Sequence, residues 1–311
     1  MEFVTLDNIL LQLVSKEIIP AISVTIGHNS RIVFSNSYGY IRESNVSVDN
    51  NTVFDIASMT KILTSICFTK LVDSGEISFD NRISEIFPEM RGSRPIEKNG
   101  HTIGYVNADK ITWRQALTHT TGMGWARPKT RPSLPNLKNG LDDIFNLPFV
   151  DEPCKHIIYT DIPIILMGVA MERITKTPLD VLVDNMLCIP LSLENTGYLR
   201  ITSGPYDRTN IAPTEFDSVF RKQRIWGCVH DENTFLLDGV AGHAGIFSTS
   251  KDMCNLAMSY NRCLSSDGFL SSYLAQEMIT EQVEEFGERR GLMWQLNSSG
   301  IDSYFSCLSE R

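Results

Sequence analysis

The sequence is short of several things, and each shortage excludes something. No two of its seven cysteines are spaced Cys-x-x-Cys, and the count is odd. That excludes a regular disulfide framework and a paired-cysteine metal or redox site. Several cysteines fall in apolar helical patterns and read as buried free thiols of a reducing compartment. The longest apolar run, Ile162 to Met171, is too short to span a bilayer. The N-terminal stretch, with Asp7, Lys16 and Glu17, lacks an apolar signal core. A cytoplasmic location is therefore expected. Positive charge is scarce: 28 Lys and Arg against 37 Asp and Glu give a net charge of −9. This weighs against nucleic acid or an anionic membrane surface as a main partner. The densest basic run, Arg127, Lys129 and Arg131, lies in a Pro-rich stretch and reads as a solvated loop, with contact to a substrate carboxylate as the alternative. His230, Asp231, Glu232 and His243 match no zinc spacing, and no metal is expected there. No repeat or low-complexity segment is present.

What is there suits a globular protein with a large core: 311 residues, 42% hydrophobic and 21% charged. Leu6 to Val14 predicts a short helix. Ala21 to Ile26 and Arg31 to Ser37 predict two strands joined by a turn at Gly27-His28-Asn29-Ser30. A long apolar helix follows Ser58 and stops at Gly75. Residues 91–110 are polar and read as a surface excursion, and Trp113 to Leu117 as a short helix. Residues 126–155 are irregular and offer a cleft wall. Helices are expected over Asp161 to Ile174, with Pro163 in the first turn, and over Leu179 to Cys188. Residues 200–250 are rich in turn signals. Helices near 251–264 and 271–282 precede a strand over Leu292 to Leu296. Strands first, helices next and a late strand predict an α+β fold. The expected layout is one domain over 1–311, with sheet regions at 1–57 and 285–311 and a mainly helical region at 58–284.

Ser58-Met59-Thr60-Lys61 carries the most chemistry. It puts a hydroxyl and an amine on one face of a helix start, beside free backbone N–H groups. A serine alcohol becomes a good nucleophile only when a base takes its proton, and Lys61 is close enough to be part of that base. The spacing alone is not specific, because Ser248-Thr249-Ser250-Lys251 repeats it. There a polar helix start follows, which reads as ordinary N-capping by the serines. After Ser58 the helix is apolar on most of its circumference, so Lys61 must find a partner or a cleft.

A nucleophile and lysine also need a proton relay to the leaving group. Tyr159-Thr160-Asp161 offers one: a phenol just before a buried helix, with Asp161 placed to cap that helix. Tyr105-Val106-Asn107 is spelled similarly but lies in the polar excursion.

Together these stretches resemble the serine β-lactamase and penicillin-binding-protein-like superfamily, on the class C β-lactamase and family VIII esterase side. The resemblance rests on Phe54 to Lys61, Leu117 to Gly122, Leu147 to Pro153 running on to Tyr159-Thr160-Asp161, Val229 to Asn233 with Gly239 to Thr249, and Gly291 to Trp294. It implies a β-lactamase/transpeptidase-like fold, with an antiparallel sheet built from both chain ends around an inserted helical region. It implies Ser58 as the acylated nucleophile, Lys61 and Tyr159 as the proton-transfer network, and the Ser58 N–H as an oxyanion donor. No cofactor is implied.

Two departures from the family pattern stand out. The usual Tyr-x-Asn is here Tyr159-Thr160-Asp161. An asparagine amide can donate to a substrate carbonyl, whereas an ionised aspartate only accepts. Asp161 is therefore expected to pair with Lys61 and to favour esters over acylamino substrates. The family's Lys- or His-Thr-Gly strand is also expected soon after Trp294 and is not found by Arg311. Neither Thr120-Thr121-Gly122 nor Gly242-His243-Ala244-Gly245, which reads as a turn, replaces it. The expectation from sequence is a C-terminally incomplete domain. The functional expectation is a serine hydrolase acting on a small ester, amide or β-lactam. The alternative is an inactive homologue or fragment that binds peptidoglycan-like or peptide ligands. The oligomeric state is left open.

Overall fold

The structure is a computed structural model that describes residues 3–41, 43–124, 141, 144–204, 208–285 and 288–297. The basic run at Arg127, Lys129 and Arg131 lies outside the described residues, as does much of the expected cleft wall.

Helix α1 (Val4–Ser15) covers the helix expected over Leu6 to Val14. Two buried helices form the centre. Helix α2, Thr60–Asp73, follows a 3-10 turn over Ala57–Met59, and ten of its fourteen residues are buried. The apolar side chains Leu63, Ile66, Cys67, Phe68 and Leu71 account for this, as the apolar circumference predicts. It ends in a Schellman motif: the Gly75 N–H reaches the Val72 carbonyl and the Glu76 N–H reaches that of Leu71. Gly75 has φ +78°, and a Cβ there would meet nothing within 4 Å, so the glycine serves backbone conformation. The second central helix, Ile162–Thr175, starts with Pro163 in its first turn and buries nine residues. Both helices share one core cluster with Phe79, Phe87, Trp113 and Phe149.

A short helix, α3 (Trp113–Leu117), opens with a capping box between Thr112 and Gln115. The Ile162–Thr175 helix is α4. Further along lie α5 (Leu179–Val183), α6 (Glu232–Leu236), α7 (Ser250–Cys263) and α8 (Ser272–Ile279). The expected helix over Leu179 to Cys188 changes to π-type turns over Asp184–Cys188.

The strands are antiparallel within their ladders. β1 (Ala21–His28) pairs with β2 (Arg31–Ile41), which pairs with β3 (Val46–Ser47). A second three-stranded sheet orders β4 (Phe54–Asp55), β10 (Ile246–Ser248) and β7 (Gly197–Tyr198), with β10 central. β4 leads directly into the Ser58 turn, so this sheet sets the height of the nucleophile. The polar excursion at 91–110 folds as a hairpin of β5 (Ser93–Lys98) and β6 (His101–Asn107). Ile96 and Val106 turn inward on one face, Ile103 and Tyr105 stay exposed on the other, and the register shifts between Ile96 and Glu97. Two short hairpins complete the strands, β8 (Phe216–Asp217) with β9 (Gln223–Arg224), and β11 (Val283–Glu285) with β12 (Glu288–Arg290). The strand expected over Leu292 to Leu296 is not one. The segment crosses the core instead: the Leu292 N–H goes to the Met278 carbonyl and the Met293 N–H to that of Leu117. Apolar alternation over five residues could not separate these outcomes.

Candidate active site

The nucleophile turn is built under local strain. Ala57, just before Ser58, has φ +47°, a left-handed conformation that L-residues avoid. The turn is held by its neighbours: the Ala57 N–H donates to Asp55 Oδ1 at 2.8 Å and the Met59 N–H to the Ile56 carbonyl at 3.0 Å. Ser58 is exposed while Lys61, one turn further on, is 1% exposed. An accessible hydroxyl therefore meets a desolvated amine.

Lys61 Nζ lies 2.9 Å from Ser58 Oγ and 2.8 Å from Asp161 Oδ1, and donates to the His243 carbonyl at 3.3 Å. The three expected partners Ser58, Lys61 and Asp161 are thus assembled, and the pairing of Asp161 with Lys61 is as its chemistry demands. The expectation that Asp161 caps α4 fails: its side chain makes no cap bond. A buried ammonium is the stronger claimant for the carboxylate.

Tyr159 joins the same group. Its ring centroid is 4.8 Å from Lys61 Nζ. The rival Tyr105 is 69% exposed on β6.

Two residues and one residue pair to which the sequence reading gave no role are also here. His119 packs on Tyr159 with ring centroids 4.5 Å apart. It is fully buried, and neither ring nitrogen has a hydrogen-bond partner among the described residues. Burial pushes its pKa down to about 3, with help from the Arg290 and Lys61 cations, so the ring is neutral. His119 sits at the C′ position of a Schellman motif, with φ +59° where α2 has Gly75. That left-handed position shows only in the fold. Arg290 is the second. Its guanidinium carbon stands 5.7 Å from the Tyr159 ring centroid, and Glu288 Oε1 is 2.6 Å from its Nε. The third is the pair of His243 and Asp231, with Nε2 and Oδ1 2.8 Å apart.

Asp161, Asp231 and His243 offer ligand atoms within 4.8 Å of one another. The grouping considered from sequence was different: His230 goes instead to Glu215, 3.0 Å away. Of the observed three, Asp161 already holds the Lys61 ammonium, and Asp231 holds His243 and the Thr234 N–H. Gly242-His243-Ala244-Gly245 is a turn, closed by a bridge between Ala241 and Ala244.

A buried lysine joining a serine to the second-motif residues is the arrangement that the sequence resemblance implied, and a match to the Beta-lactamase family spans residues 6–306. The chain belongs to that family. Among curated relatives, a putative D-alanyl-D-alanine carboxypeptidase of Salmonella paratyphi A is 27% identical over 318 residues, covering 90% of this chain and 69% of that protein. An octameric penicillin-binding protein homologue from Pyrococcus abyssi superposes with a TM-score of 0.75 at 17% identity, covering 94% of this chain and 64% of that one. A class C beta-lactamase superposes with a TM-score of 0.73 at 20% identity, covering 94% and 73%. The likeness of fold is that of β-lactamase/transpeptidase-like proteins, with mixed helices and antiparallel sheets. This chain spans about two thirds of the length of these proteins. Among the described residues, no helix is long and apolar enough to cross a membrane.

Proposed function

We propose that this protein is a serine hydrolase that forms an acyl-enzyme on Ser58, acting on a small ester, amide or β-lactam. The observation that carries the reading is the 2.9 Å contact between buried Lys61 and exposed Ser58. Ser58 Oγ attacks the acyl carbon and its proton passes into the Lys61–Tyr159 pair. Tyr159 then returns a proton to the leaving group, and water later releases the acyl chain along the same route. The Ser58 N–H faces the developing oxyanion, and such a donor is typically worth about 10²–10³ in rate.

Asp161 narrows the substrate class. Its carboxylate accepts and cannot donate, and it is already paired with Lys61. A substrate whose binding needs an amide donor at this position loses a hydrogen bond, and a simple ester does not. Esters are therefore the favoured substrates. The free cysteines Cys67, Cys188 and Cys263, all buried, support a cytoplasmic setting.

Labelling with a fluorescent phosphonate and with a fluorescent penicillin tests the reading. Wild type should be labelled and Ser58→Ala should not. Equal labelling of the two would overturn it, and absence of labelling in both would favour a ligand-binding homologue without catalysis.

A further inference from the structure

Lys61 Nζ has three polar partners: Ser58 Oγ, the Asp161 carboxylate and the His243 carbonyl. The first two belong to the reaction. The third is a backbone oxygen in a turn, and its position depends on what holds the turn. Gly242 lies so close to α4 that a Cβ there would stand 2.2 Å from the Ile164 carbonyl oxygen. Tyr198 donates its hydroxyl to the Ala241 carbonyl at 3.0 Å. The His243 ring, 1% exposed, places Nε2 2.8 Å from Asp231 Oδ1 and 3.2 Å from Thr234 Oγ1.

Asp231 is itself fixed. Its Oδ1 caps α6 by accepting the Thr234 N–H at 2.7 Å. The neighbouring His230 N–H donates to Asp55 Oδ2 at 2.8 Å, and the other oxygen of Asp55 holds the Ala57 N–H. A continuous set of polar contacts therefore runs from the nucleophile turn through Asp55 and residues 230–231 to His243, and back to Lys61. Burial works to raise the Asp231 carboxyl, but the His243 ring beside it and the hydrogen bonds from His243 and Thr234 hold it well below the usual carboxylate range.

We propose that Asp231 and His243 are positioning residues for Lys61, a side-chain brace that fixes the His243 carbonyl and so aims the amine at Ser58. The inference rests on Ser58 being the nucleophile. With the carbonyl and Asp161 both fixed, the remaining direction on Nζ is the one toward Ser58 Oγ. When the brace is lost, the amine follows Asp161 alone and the Ser58 contact loosens.

The test is steady-state hydrolysis of a short-chain nitrophenyl ester, read as kcat and KM separately, with the melting temperature measured alongside. His243→Leu should lower kcat by about 10²-fold, the usual cost of a misplacement near 1 Å, with KM little changed. His243→Gln, whose amide can donate to Asp231, should recover most of that loss. Thr196→Val is the control. It removes a buried bond to Ser248 and Asp252 away from Lys61 and should lower the melting temperature without touching kcat. A folded His243→Leu with wild-type kcat, or a His243→Gln no better than the leucine, overturns the proposal.

If His243→Leu does not fold, Asp231→Asn carries the test, because it keeps the shape and the cap. Asp231→Asn turns the ionic partner of the His243 ring into a neutral one and should lower kcat by about ten-fold with KM little changed. A folded Asp231→Asn with wild-type kcat overturns the brace. A wild type that phosphonate does not label on Ser58 removes the nucleophile reading, and this one with it. A labelled wild type with indifferent variants removes this one alone.

Discussion

Ser58 and Lys61 stand at the start of α2, and Ser248 and Lys251 stand at the same spacing at the start of α7. In the first pair the serine is exposed and the lysine buried. In the second the order is reversed: Ser248 is 1% exposed and bonded to Thr196 at 2.7 Å, and Lys251 is exposed. The cap of α7 is neither serine but Thr249, whose hydroxyl accepts the Asp252 N–H. Ser250 instead joins α7 to β1 through Ser23 and Thr25, at 2.8 and 2.9 Å. The two stretches share a spelling and differ in burial. A lysine becomes part of a catalytic pair when it is desolvated beside its serine, and a solvated one remains a surface charge.

The sharpest way to break this contrast is to remove each lysine. Lys61→Met keeps the volume and should lower the acylation rate by about 10²–10⁴, the range for an acid–base group. Lys251→Met should leave the rate unchanged and shift stability by no more than about 0.5 kcal/mol. The tyrosines extend the same test: Tyr159→Phe should match Lys61→Met, and Tyr105→Phe should be silent. A loss of turnover in Tyr105→Phe with none in Tyr159→Phe would show that the exposed hairpin, and not the α4 entrance, carries the relay.

Hydrogen exchange compares the surroundings of the two stretches. α2 buries ten of fourteen residues, whereas β1 buries none fully and β2 only Phe34 and Ile41. Amides in 63–71 should therefore exchange only through global unfolding, and those in 21–28 through local opening. Equal protection in the two would mean that the hairpin and α7 form one cooperative unit with the core.

Much of this was legible in the chain, for physical reasons. The apolar circumference after Ser58 forces Lys61 indoors, and an acidic residue in the second motif forces an ion pair. Gly75 marks a left-handed stop. The rest was hidden because it depends on contacts between distant segments. Asp231 and His243 could be grouped by residue type, but their spacing does not announce the contact between them, and nothing near Arg290 announces Tyr159. The β5–β6 hairpin was masked by Arg94, Glu97 and Lys98, whose charges read as solvent before the pairing with residues 101–107 is known. His119 was hidden in a different way. It lay inside a matched stretch, but its left-handed φ and its buried ring appear only with the fold.

His119 gives the next prediction, on stability. Its folded-state pKa of about 3 lies below the ordinary histidine value near 6.5, so the unfolded chain binds the extra proton. Its contribution is fully present above pH about 6.5 and falls as pH drops toward 3, by at most about 1.4 kcal/mol per pH unit. Urea unfolding at pH 7, 6, 5 and 4 reads this directly. His119→Gln should flatten that part of the curve, and an equally steep fall in the variant would mean that carboxylates, not this buried ring, dominate the slope.

The smallest expected effect bears on substrate choice. Asp161→Asn keeps the shape of the side chain while removing the charge that holds Lys61 at 2.8 Å. Two things change together. The amine loses its ionic partner, and the site gains an amide that can donate to an acylamino carbonyl. Simple esters feel only the first change, whereas acylamino compounds feel both. The ratio of nitrocefin turnover to nitrophenyl ester turnover should therefore rise, by about ten-fold if one net hydrogen bond of ~1.4 kcal/mol is gained. Absolute ester rates can move either way without affecting this outcome, because the ratio cancels changes common to both substrates. A ratio that stays level or falls would show that the Asp161 side chain serves Lys61 alone and does not meet the acyl group. Ester preference would then have to come from the shape of the cleft.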